Sequence, residues 1–199
     1  GAGYEENTLL ARVRLGAPSA SPAHRLGRGT SGLVLFSKNT AAARAIQAQW
    51  QAGSVIKMYR ALLQGVLATD AFVVDARIGL VADDVVGELY AASAGGKRAR
   101  SRFHVLERRV ASTLVVVVIE TGRPHQIRIH AAAAGHPLVG DPLYGAGGGR
   151  RSDSAARPGD IGYHLHAHRL ALRHPRTGAP LALTAPLPPL LVDGAIGPG

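Results

Sequence analysis

Residues 24–32 of this chain read His-Arg-Leu-Gly-Arg-Gly-Thr-Ser-Gly. Cationic and hydroxyl-bearing side chains surround the centre of this segment, whereas the central residue, Gly27, has no side chain. The guanidinium group of Arg25 is planar, so it can stack on a nucleobase or bind a phosphate. The segment therefore has groups that suit a nucleotide ligand, and it lacks a reactive group at its centre.

The charge of the whole chain favours a polyanionic partner. Its 199 residues include 23 Lys+Arg and 13 Asp+Glu, which makes a formal net charge of +10. Each basic side chain that neutralises a phosphate releases a counterion, so such a surface suits nucleic acid. Well-solvated surfaces and proteins that bind membrane surfaces show the same balance, and charge alone leaves these alternatives open.

Composition indicates one globular domain and excludes cysteine chemistry. Hydrophobic residues make up 46% and charged residues 18% of a chain that is long enough for one core. It contains no cysteine, which excludes disulfides, thiolate nucleophiles and cysteine zinc sites. The strongest apolar run, 114–119, is far shorter than the ~20 residues that cross a bilayer. We expect no membrane partner.

The hydrophobic pattern predicts an α+β domain with a mixed, largely antiparallel sheet flanked by helices. One helix is expected to begin at Thr40 and to end at Gly53, and another is expected at 125–134. The predicted strands are 32–36, 58–63, 101–107, 112–120, 163–172 and 181–183, with a weaker β region at 72–96. The runs 101–107 and 112–120 are expected to form one hairpin, and the runs 163–172 and 181–183 are expected to form a second. The β-branched run 112–120 is expected to be central in the sheet.

The domain is expected to occupy residues 23–190. Residues 1–22 are interpreted as an N-terminal extension or remnant. Residues 145–160 contain glycines and arginines without apolar periodicity, which predicts an exposed, mobile, basic loop. Residues 191–199 are expected to form a loosely held tail.

Three further motif segments follow residues 24–32. The first is Lys-Met-Tyr-Arg-Ala-Leu-Leu-Gln-Gly at 57–65. The second is Thr-Gly-Arg-Pro-His-Gln-Ile-Arg-Ile-His at 121–130, followed by Gly-Asp-Pro-Leu-Tyr-Gly at 140–145. The third is His-Ala-His-Arg-Leu at 166–170. Any one of them could arise by chance, but their occurrence in this order could not.

Together the four segments resemble the signatures of the RluA-class pseudouridine synthases, which convert uridine to its C-glycoside isomer in structured RNA. The family loop reads His-Arg-Leu-Asp-x-x-Thr-Ser-Gly, and residues 57–65 are similar to its Lys-x-Tyr-x-Ala-x-x-x-Gly strand. The resemblance covers most of residues 7–188. It implies the pseudouridine synthase fold, an RNA partner and a reaction without a cofactor.

The resemblance also implies roles for individual residues. Gly27 stands at the position of the family's catalytic aspartate. Arg25 matches the arginine that fills the place of the flipped nucleotide, and Tyr59 matches the tyrosine that stacks on the flipped base. The family arginine that pairs with the aspartate corresponds to Arg123 or Arg128, and the sequence leaves this choice open. Without a carboxylate partner, this arginine is expected to be free to hold an RNA phosphate.

Basic and polar side chains in these segments are expected to contact RNA, aided by the helix N-terminus near residue 125. Asp141 is expected to cap its turn through backbone hydrogen bonds. The predicted catalytic-site positions are Gly27, Tyr59, Arg123 and Arg128. The predicted RNA-binding residues are His24, Arg25, Arg28, Lys57, His125, Gln126, His130, Arg150 and Arg151.

We expect neither a metal nor a cofactor. His164, His166 and His168 recur at every second residue and so face one side of a strand, but no cysteine or nearby carboxylate completes a ligand set. The similar family strand carries no metal. The glycines at 145–149 lack the Gly-Lys-Ser/Thr ending of a phosphate-binding loop.

Loss of the aspartate removes the group that serves as nucleophile or base, which costs ~5 kcal/mol or more of barrier. We therefore expect an RNA-binding protein with lost or weak activity, whose partner is structured RNA, rRNA rather than tRNA, with ribosomal proteins as further candidate partners. The alternative is an active pseudouridine synthase that recruits another carboxylate or a water. A module for some other anionic partner rests on charge alone.

The start of the chain bears on its location. Met58 is the only methionine, so Gly1 is not an initiator, and no signal peptide is evident. Family members usually begin with a strand that carries Asn-Lys-Pro, which suggests that this chain is a fragment or has lost that part. We expect an intracellular location, in a mitochondrion or plastid rather than in the cytoplasm.

Overall fold

The computed structural model describes residues 8–194. Its α-helices are α1 (Leu9–Gly16), α2 (Thr40–Gln51) and α3 (Gln126–Ala133). Its strands are β1 (Ser21–Pro22), β2 (Ser31–Gly32), β3 (Phe36–Ser37), β4 (Ile56–Gln64), β5 (Ala71–Val74), β6 (Ile78–Asp83), β7 (Gly87–Ala92), β8 (Ser101–Arg108), β9 (Ser112–Ile119), β10 (Leu165–Arg173) and β11 (Pro180–Thr184). Short 3-10 turns lie at Ala146–Gly148 and Pro189–Leu191. Within this part of the chain, no helix has the length and apolar character needed to span a membrane.

A seven-stranded sheet organises the domain in the order β11-β10-β4-β9-β8-β5, with β2 added beside β10. The β2–β10 pair is parallel, and the other pairs are antiparallel. The two predicted hairpins are β8–β9 and β10–β11, and β9 is an interior strand between β4 and β8. The predicted mixed, largely antiparallel α+β fold is confirmed.

Alternation along the strands gives the sheet two packed faces. On one face, Val115 belongs to a core that includes Ile127 of α3. On the other face, the neighbouring residue Leu114 packs with Leu191 near the end of the described chain. The helix α2 contributes Ile46 to a third core formed with β10. The helix α3 and the 3-10 turn Pro189–Leu191 thus pack on opposite faces of the same strands.

The predicted buried strand at 32–36 is wrong. The chain instead makes two short pairings there, β2 with β10 and β3 with β1. Gly32 has φ +105°, and a Cβ atom at this position would lie 2.3 Å from the carbonyl oxygen of Ala167. The absence of a side chain therefore lets the loop touch the backbone of β10 and turn away again.

The helix α3 begins one residue later than predicted. His125 adopts φ 55° and ψ 17°, which is left-handed backbone, and the helix starts at Gln126. Pro124 lies ahead of this left-handed residue and outside the helix. Gly135, with φ +84°, ends the helix as predicted.

Both borders of the predicted domain are packed more firmly than the sequence indicated. Ala20 is fully buried, ahead of the predicted border at residue 23. At the other end, Leu191 is buried, and Arg109 donates hydrogen bonds to the carbonyl oxygens of Leu190 and Val192. Residues 191 and 192 of the predicted tail are therefore held by contacts with the domain, and the predicted domain bounds stay a prediction. Residues 195–199 of that tail, and residues 1–7, lie outside the described residues.

The loop predicted at 145–160 is anchored in its first part. Gly148 is buried against α3 and β7, where an added Cβ atom would lie 3.0 Å from the side chains of Ala133 and Ala92. Arg150 is half-buried, with its Nε 3.8 Å from a carboxylate oxygen of Asp83. Residues 152–160 are exposed or partly exposed, and the mobility predicted for the loop stays a prediction.

Candidate functional site

The loop at 24–32 rests on the side chain of Tyr163. A Cβ atom at Gly29 would lie 2.9 Å from two ring carbons of Tyr163, and one at Gly27 would lie 3.0 Å from its hydroxyl oxygen. The hydroxyl of Thr30 lies 3.4 Å from the same oxygen. The two glycines therefore allow the close approach of loop and ring. Tyr163 is buried at the centre of the site, although sequence reasoning did not single it out.

Arg128 lies against Tyr163 as well. Its guanidinium carbon is 4.2 Å from the ring centre of Tyr163 and 4.8 Å from that of Tyr144. Its Nε and Nη2 donate to the two carboxylate oxygens of Asp141, both at 2.7 Å. Arg128 is 2% exposed and Asp141 is fully enclosed, so this is a buried bidentate ion pair.

Asp141 has a full set of partners. Besides Arg128, one carboxylate oxygen accepts hydrogen bonds from the backbone N–H groups of Leu143 and Tyr144. The predicted turn-capping role is confirmed by these bonds. The expectation that the site arginine would be free for phosphate is wrong for Arg128, because Asp141 neutralises it.

The structure distinguishes the two arginines that the sequence left open. Arg128 points into the site and contacts Tyr163, which itself lies against Gly27. Arg123 is half-buried, and its Nε donates to the carbonyl oxygen of Arg98 at the outer surface. The arginine adjacent to the loop at 24–32 is therefore Arg128.

His125 is a neutral side chain at the edge of this cluster. Burial, followed by the charges of Arg128 and Arg25, lowers the pKa of His125 to about 4. The hydroxyl of Tyr144 donates to the carbonyl oxygen of Tyr90, so His125 donates from Nδ1 to that hydroxyl at 2.8 Å. This tautomer leaves Nε2 of His125 as a hydrogen-bond acceptor.

Gln126 does not offer its side chain to RNA. Its Oε1 accepts from the Thr121 hydroxyl at 2.7 Å and from the N–H of Arg123 at 3.0 Å. Its Nε2 donates to the carbonyl oxygen of Arg100 and to the hydroxyl of Ser101, both at 2.9 Å. All four hydrogen-bonding positions of this buried amide are filled, so its side chain has no free group to offer to RNA.

His130 is likewise structural. The side chain is fully buried, and burial lowers its pKa, which favours the neutral ring. Nε2 donates to the carbonyl oxygen of Ala76, and Nδ1 accepts from the hydroxyl of Ser101, both at 2.9 Å. Both ring nitrogens are thus occupied inside the core, and neither is free for RNA.

A second group of predicted residues lies around Trp50 of α2. His24 stacks on this ring with centroids 5.2 Å apart, and Nζ of Lys57 lies 5.9 Å from the ring centre. Nε2 of His24 accepts the backbone N–H of Leu35 at 3.0 Å. Burial and the nearby charge of Lys57 lower the pKa of His24. His24 therefore holds the loop to α2 and keeps only Nδ1 for another partner.

Tyr59 belongs to the same core face as Tyr163. It lies on β4 between Ala167 of β10 and Val117 of β9, and its half-buried ring packs against the core that contains Tyr163. Burial raises the pKa of Tyr59 to about 12, so its hydroxyl stays protonated. The predicted stacking of this ring on a base stays a prediction.

The remaining predicted RNA contacts differ in their exposure and in the partners that they already have within the protein. Arg25 and Arg28 are exposed on the loop, and the positive charge of Arg25 contributes to the lowered pKa of His125. Arg150 donates to the carbonyl oxygen of Ser154, and Arg151 pairs with Asp153. Exposed pairs of this kind are weak, which leaves Arg151 able to exchange its partner for a phosphate.

The histidine strand was a second feature singled out from the sequence. His166 is buried, and its Nδ1 lies 2.8 Å from the hydroxyl of Ser31. The rings of His166 and His168 are 6.1 Å apart. Across residues 8–194, no three histidine or carboxylate side chains are grouped so that they could bind a metal ion.

This chain is similar to known proteins in both its sequence and its fold. The family model described as RNA pseudouridylate synthase matches residues 4–133. The chain is 44% identical to RNA pseudouridine synthase 5 of Oryza sativa over 85% of this chain and 53% of that protein. It is 41% identical to an uncharacterised RNA pseudouridine synthase of Synechocystis over 96% of this chain and 67% of that protein. Ribosomal large subunit pseudouridine synthase D of Nitrosomonas europaea is 40% identical over 86% of this chain and 49% of its own length.

The chain thus spans between about half and two thirds of the length of these curated relatives. Among solved structures, human RNA pseudouridylate synthase domain containing 1 superposes with a TM-score of 0.72 at 28% identity. That match covers 95% of this chain and 78% of the human chain. The similarity therefore extends over nearly the whole of this chain.

Proposed function

This chain belongs to the family of RNA pseudouridylate synthases, and we propose that it is an RNA-binding member with lost or weak isomerase activity. One observation carries the proposal: Gly27 occupies the position that the motif resemblance assigns to the catalytic aspartate, and the space beside it contains the hydroxyl of Tyr163. A hydroxyl can donate or accept a hydrogen bond, but it does not supply the carboxylate that the family reaction needs.

The carboxylate of Asp141 is a poor substitute. It is fully enclosed, and it neutralises Arg128 while accepting two backbone hydrogen bonds. Movement of this carboxylate toward a ribose would leave Arg128 charged, buried and unpaired, a change that costs about 3–5 kcal/mol. The pairing therefore supports weak or absent turnover by this route.

RNA binding has separate support. Arg25 and Arg28 are exposed on the loop, and Nε2 of the neutral His125 is available to accept a hydrogen bond from a ribose hydroxyl or a base N–H group. In this proposal Arg25 fills the place of a flipped nucleotide, and Tyr59 stacks on the flipped base. The formal net charge of +10 strengthens the attraction to phosphates.

Structured RNA is the proposed ligand, with large-subunit rRNA favoured over tRNA. Two relatives named ribosomal large subunit pseudouridine synthase D, from Nitrosomonas europaea and Pseudomonas aeruginosa, are 40% and 38% identical to this chain. If the ligand is ribosomal, ribosomal proteins are its neighbours and candidate partners. The location in a mitochondrion or plastid stays a prediction.

The test uses the full-length protein with unmodified large-subunit rRNA and, separately, unmodified tRNA, both transcribed in vitro. Binding is measured between about 50 and about 200 mM salt, and pseudouridine is mapped by carbodiimide treatment and primer extension. We expect rRNA binding that weakens steeply with salt and no product above a protein-free control. Product at one position would establish the alternative, an active synthase. Absent or salt-insensitive binding would overturn the RNA-binding proposal.

A further inference from the structure

A basic surface outside the loop at 24–32 contains none of the predicted RNA contacts, although it includes Arg123, which the sequence predicted as a catalytic-site position. We name this surface the arginine patch, and it consists of Lys97, Arg98, Arg100, Arg102 and Arg123. We propose that the arginine patch is a second RNA-binding surface, which holds the phosphates of the strand that leaves the site. This inference rests on the proposed function and adds a location for part of the RNA.

The charges of the arginine patch are not balanced by its own carboxylate. Glu120 lies among them, with one oxygen 3.2 Å from Nε of Arg100 and 2.7 Å from Nη2 of Arg102. The hydrogen bond from Arg102 and the surrounding arginine charges hold the pKa of Glu120 below its usual value. Even when Asp75, which directly follows β5, is included, the cations outnumber the carboxylates. The excess positive charge favours an anionic partner.

The side chains of the arginine patch are accessible. Lys97 and Arg98 are exposed, and the side chain of Arg102 is 51% exposed. Ion pairs with this exposure contribute little to folding, so a phosphate can replace Glu120 as a partner at small cost. A guanidinium group also matches a phosphate with two parallel hydrogen bonds.

The backbone beneath the arginine patch is held in place. The buried amide of Gln126 bonds the carbonyl oxygen of Arg100 and the N–H of Arg123, which ties two parts of the patch to the first turn of α3. Nε of Arg123 donates to the carbonyl oxygen of Arg98, and this hydrogen bond ties the backbone at Arg98 to Arg123. Cations on a fixed backbone lose less conformational freedom when they bind, so this arrangement favours association.

The arginine patch continues the positive surface of the candidate site. Arg123 lies two residues before His125, the residue at the start of α3, so the patch and the candidate site meet at this segment. A cavity of about 360 Å³ opens beside the patch, lined in part by Arg98, Ile56 and Thr121. Cationic groups beside a partly apolar recess suit a phosphate with an unstacked base next to it. This combination, continuous with the site, favours RNA over a lipid surface.

The test compares two double variants of the full-length protein. Arg98→Gln with Arg102→Gln removes two charges of the arginine patch. Arg44→Gln with Arg108→Gln is the matched control, because Arg44 is exposed on α2 and Arg108 is an exposed, carboxylate-paired residue of the same strand as Arg102. Arg108 lies six positions after Arg102 along β8, a distance of about 20 Å.

The readout is the dissociation constant for large-subunit rRNA between about 50 and about 200 mM salt. We expect the patch variant to bind more weakly and to lose about 1 from the logarithmic salt slope for each phosphate contact removed. The control should keep the wild-type slope. Arg98→Gln alone, which leaves both ion pairs of Glu120 in place, should show about half of the change and controls for altered folding.

Two outcomes would overturn the proposal while leaving the proposed function intact. In the first, the patch variant binds RNA with the wild-type affinity and the wild-type salt slope, although Arg25→Ala weakens RNA binding. The second is a patch variant that binds RNA normally but no longer sediments with phosphatidylserine vesicles that the wild type binds, which would assign the patch to a membrane surface. Failure of the wild type itself to bind RNA would instead refute the proposed function and the patch with it.

Discussion

The hydroxyl oxygen of Tyr163 lies 3.0 Å from the point where a Cβ atom on Gly27 would stand. The backbone at Gly27 is not in the left-handed region, so a side chain can be added there if the hydroxyl moves by a few tenths of an ångström. An added carboxylate would then lie within reach of the hydroxyls of Tyr163 and Thr30. The loop at Gly27 therefore has room and hydrogen-bond donors for a carboxylate.

The first prediction concerns Gly27→Asp. We expect this variant to form pseudouridine in a bound rRNA target ~10-fold or more above the wild-type background, because the carboxylate restores a base or nucleophile. Product is measured by carbodiimide primer extension. Gly27→Asn is the matched control, since it adds the same volume without the charge and should stay inactive. Equal activity of the two variants would contradict the argument.

The second prediction concerns the buried ion pair. Asp141→Asn should lower the free energy of unfolding by about 3–5 kcal/mol, because Arg128 stays charged and buried without a counterion. Urea unfolding measures the change. Asp153→Asn, at the exposed pair with Arg151, is the control and should unfold as the wild type does. A small effect of Asp141→Asn would show that water reaches Arg128.

The third prediction separates two glycines that both have positive φ. Gly53→Ala places its Cβ atom in open space, so only backbone strain of about 1–2 kcal/mol is expected. Gly32→Ala places its Cβ atom 2.3 Å from the carbonyl oxygen of Ala167 on β10. We expect it to cost at least twice as much as Gly53→Ala and to release the loop at 24–32. Thermal unfolding and protease cleavage in that loop provide the measurements.

The fourth prediction concerns pH. The pKa of His125 is about 4 in the folded protein and 6.5 in its ordinary state, so the unfolded chain binds a proton more readily between these values. The folded state should therefore lose stability as the pH falls from about 6.5 to about 4. His125→Asn, which tolerates left-handed backbone, should show a shallower dependence over that range. An identical dependence in both proteins would exclude His125 as a contributor.

The fifth prediction concerns the exposed arginine of the loop. Arg25→Ala should weaken binding to structured RNA about tenfold, through loss of stacking and phosphate contact. Arg44→Ala, an exposed arginine on α2, should bind RNA as the wild type does. Filter binding at fixed salt compares the two. Loss of affinity in both variants would indicate a general charge effect rather than a role of the loop.

The sequence predicted those parts of the fold in which neighbouring segments contact each other. The hairpins β8–β9 and β10–β11 join strands that are consecutive in the chain, and their β-branched runs and turn residues are local signals. The sequence predicted one strand at 32–36 because most of these residues are apolar. The structure instead has two short pairings there, each with a different strand. Local patterns do not show which distant strand a short segment will meet.

The sequence by itself determined the class of fold, the family motifs and the absence of a side chain at residue 27. Only the tertiary structure decided that Tyr163 lies beside Gly27, that Arg128 is the adjacent arginine, and that Asp141 neutralises it. The tertiary structure also buries Gln126, which the sequence predicted as an RNA contact. The physical reason is that these contacts join segments that are far apart in the chain. The order of strands in the sheet and the burial of side chains decide which of these segments meet, and local periodicity does not report either of them.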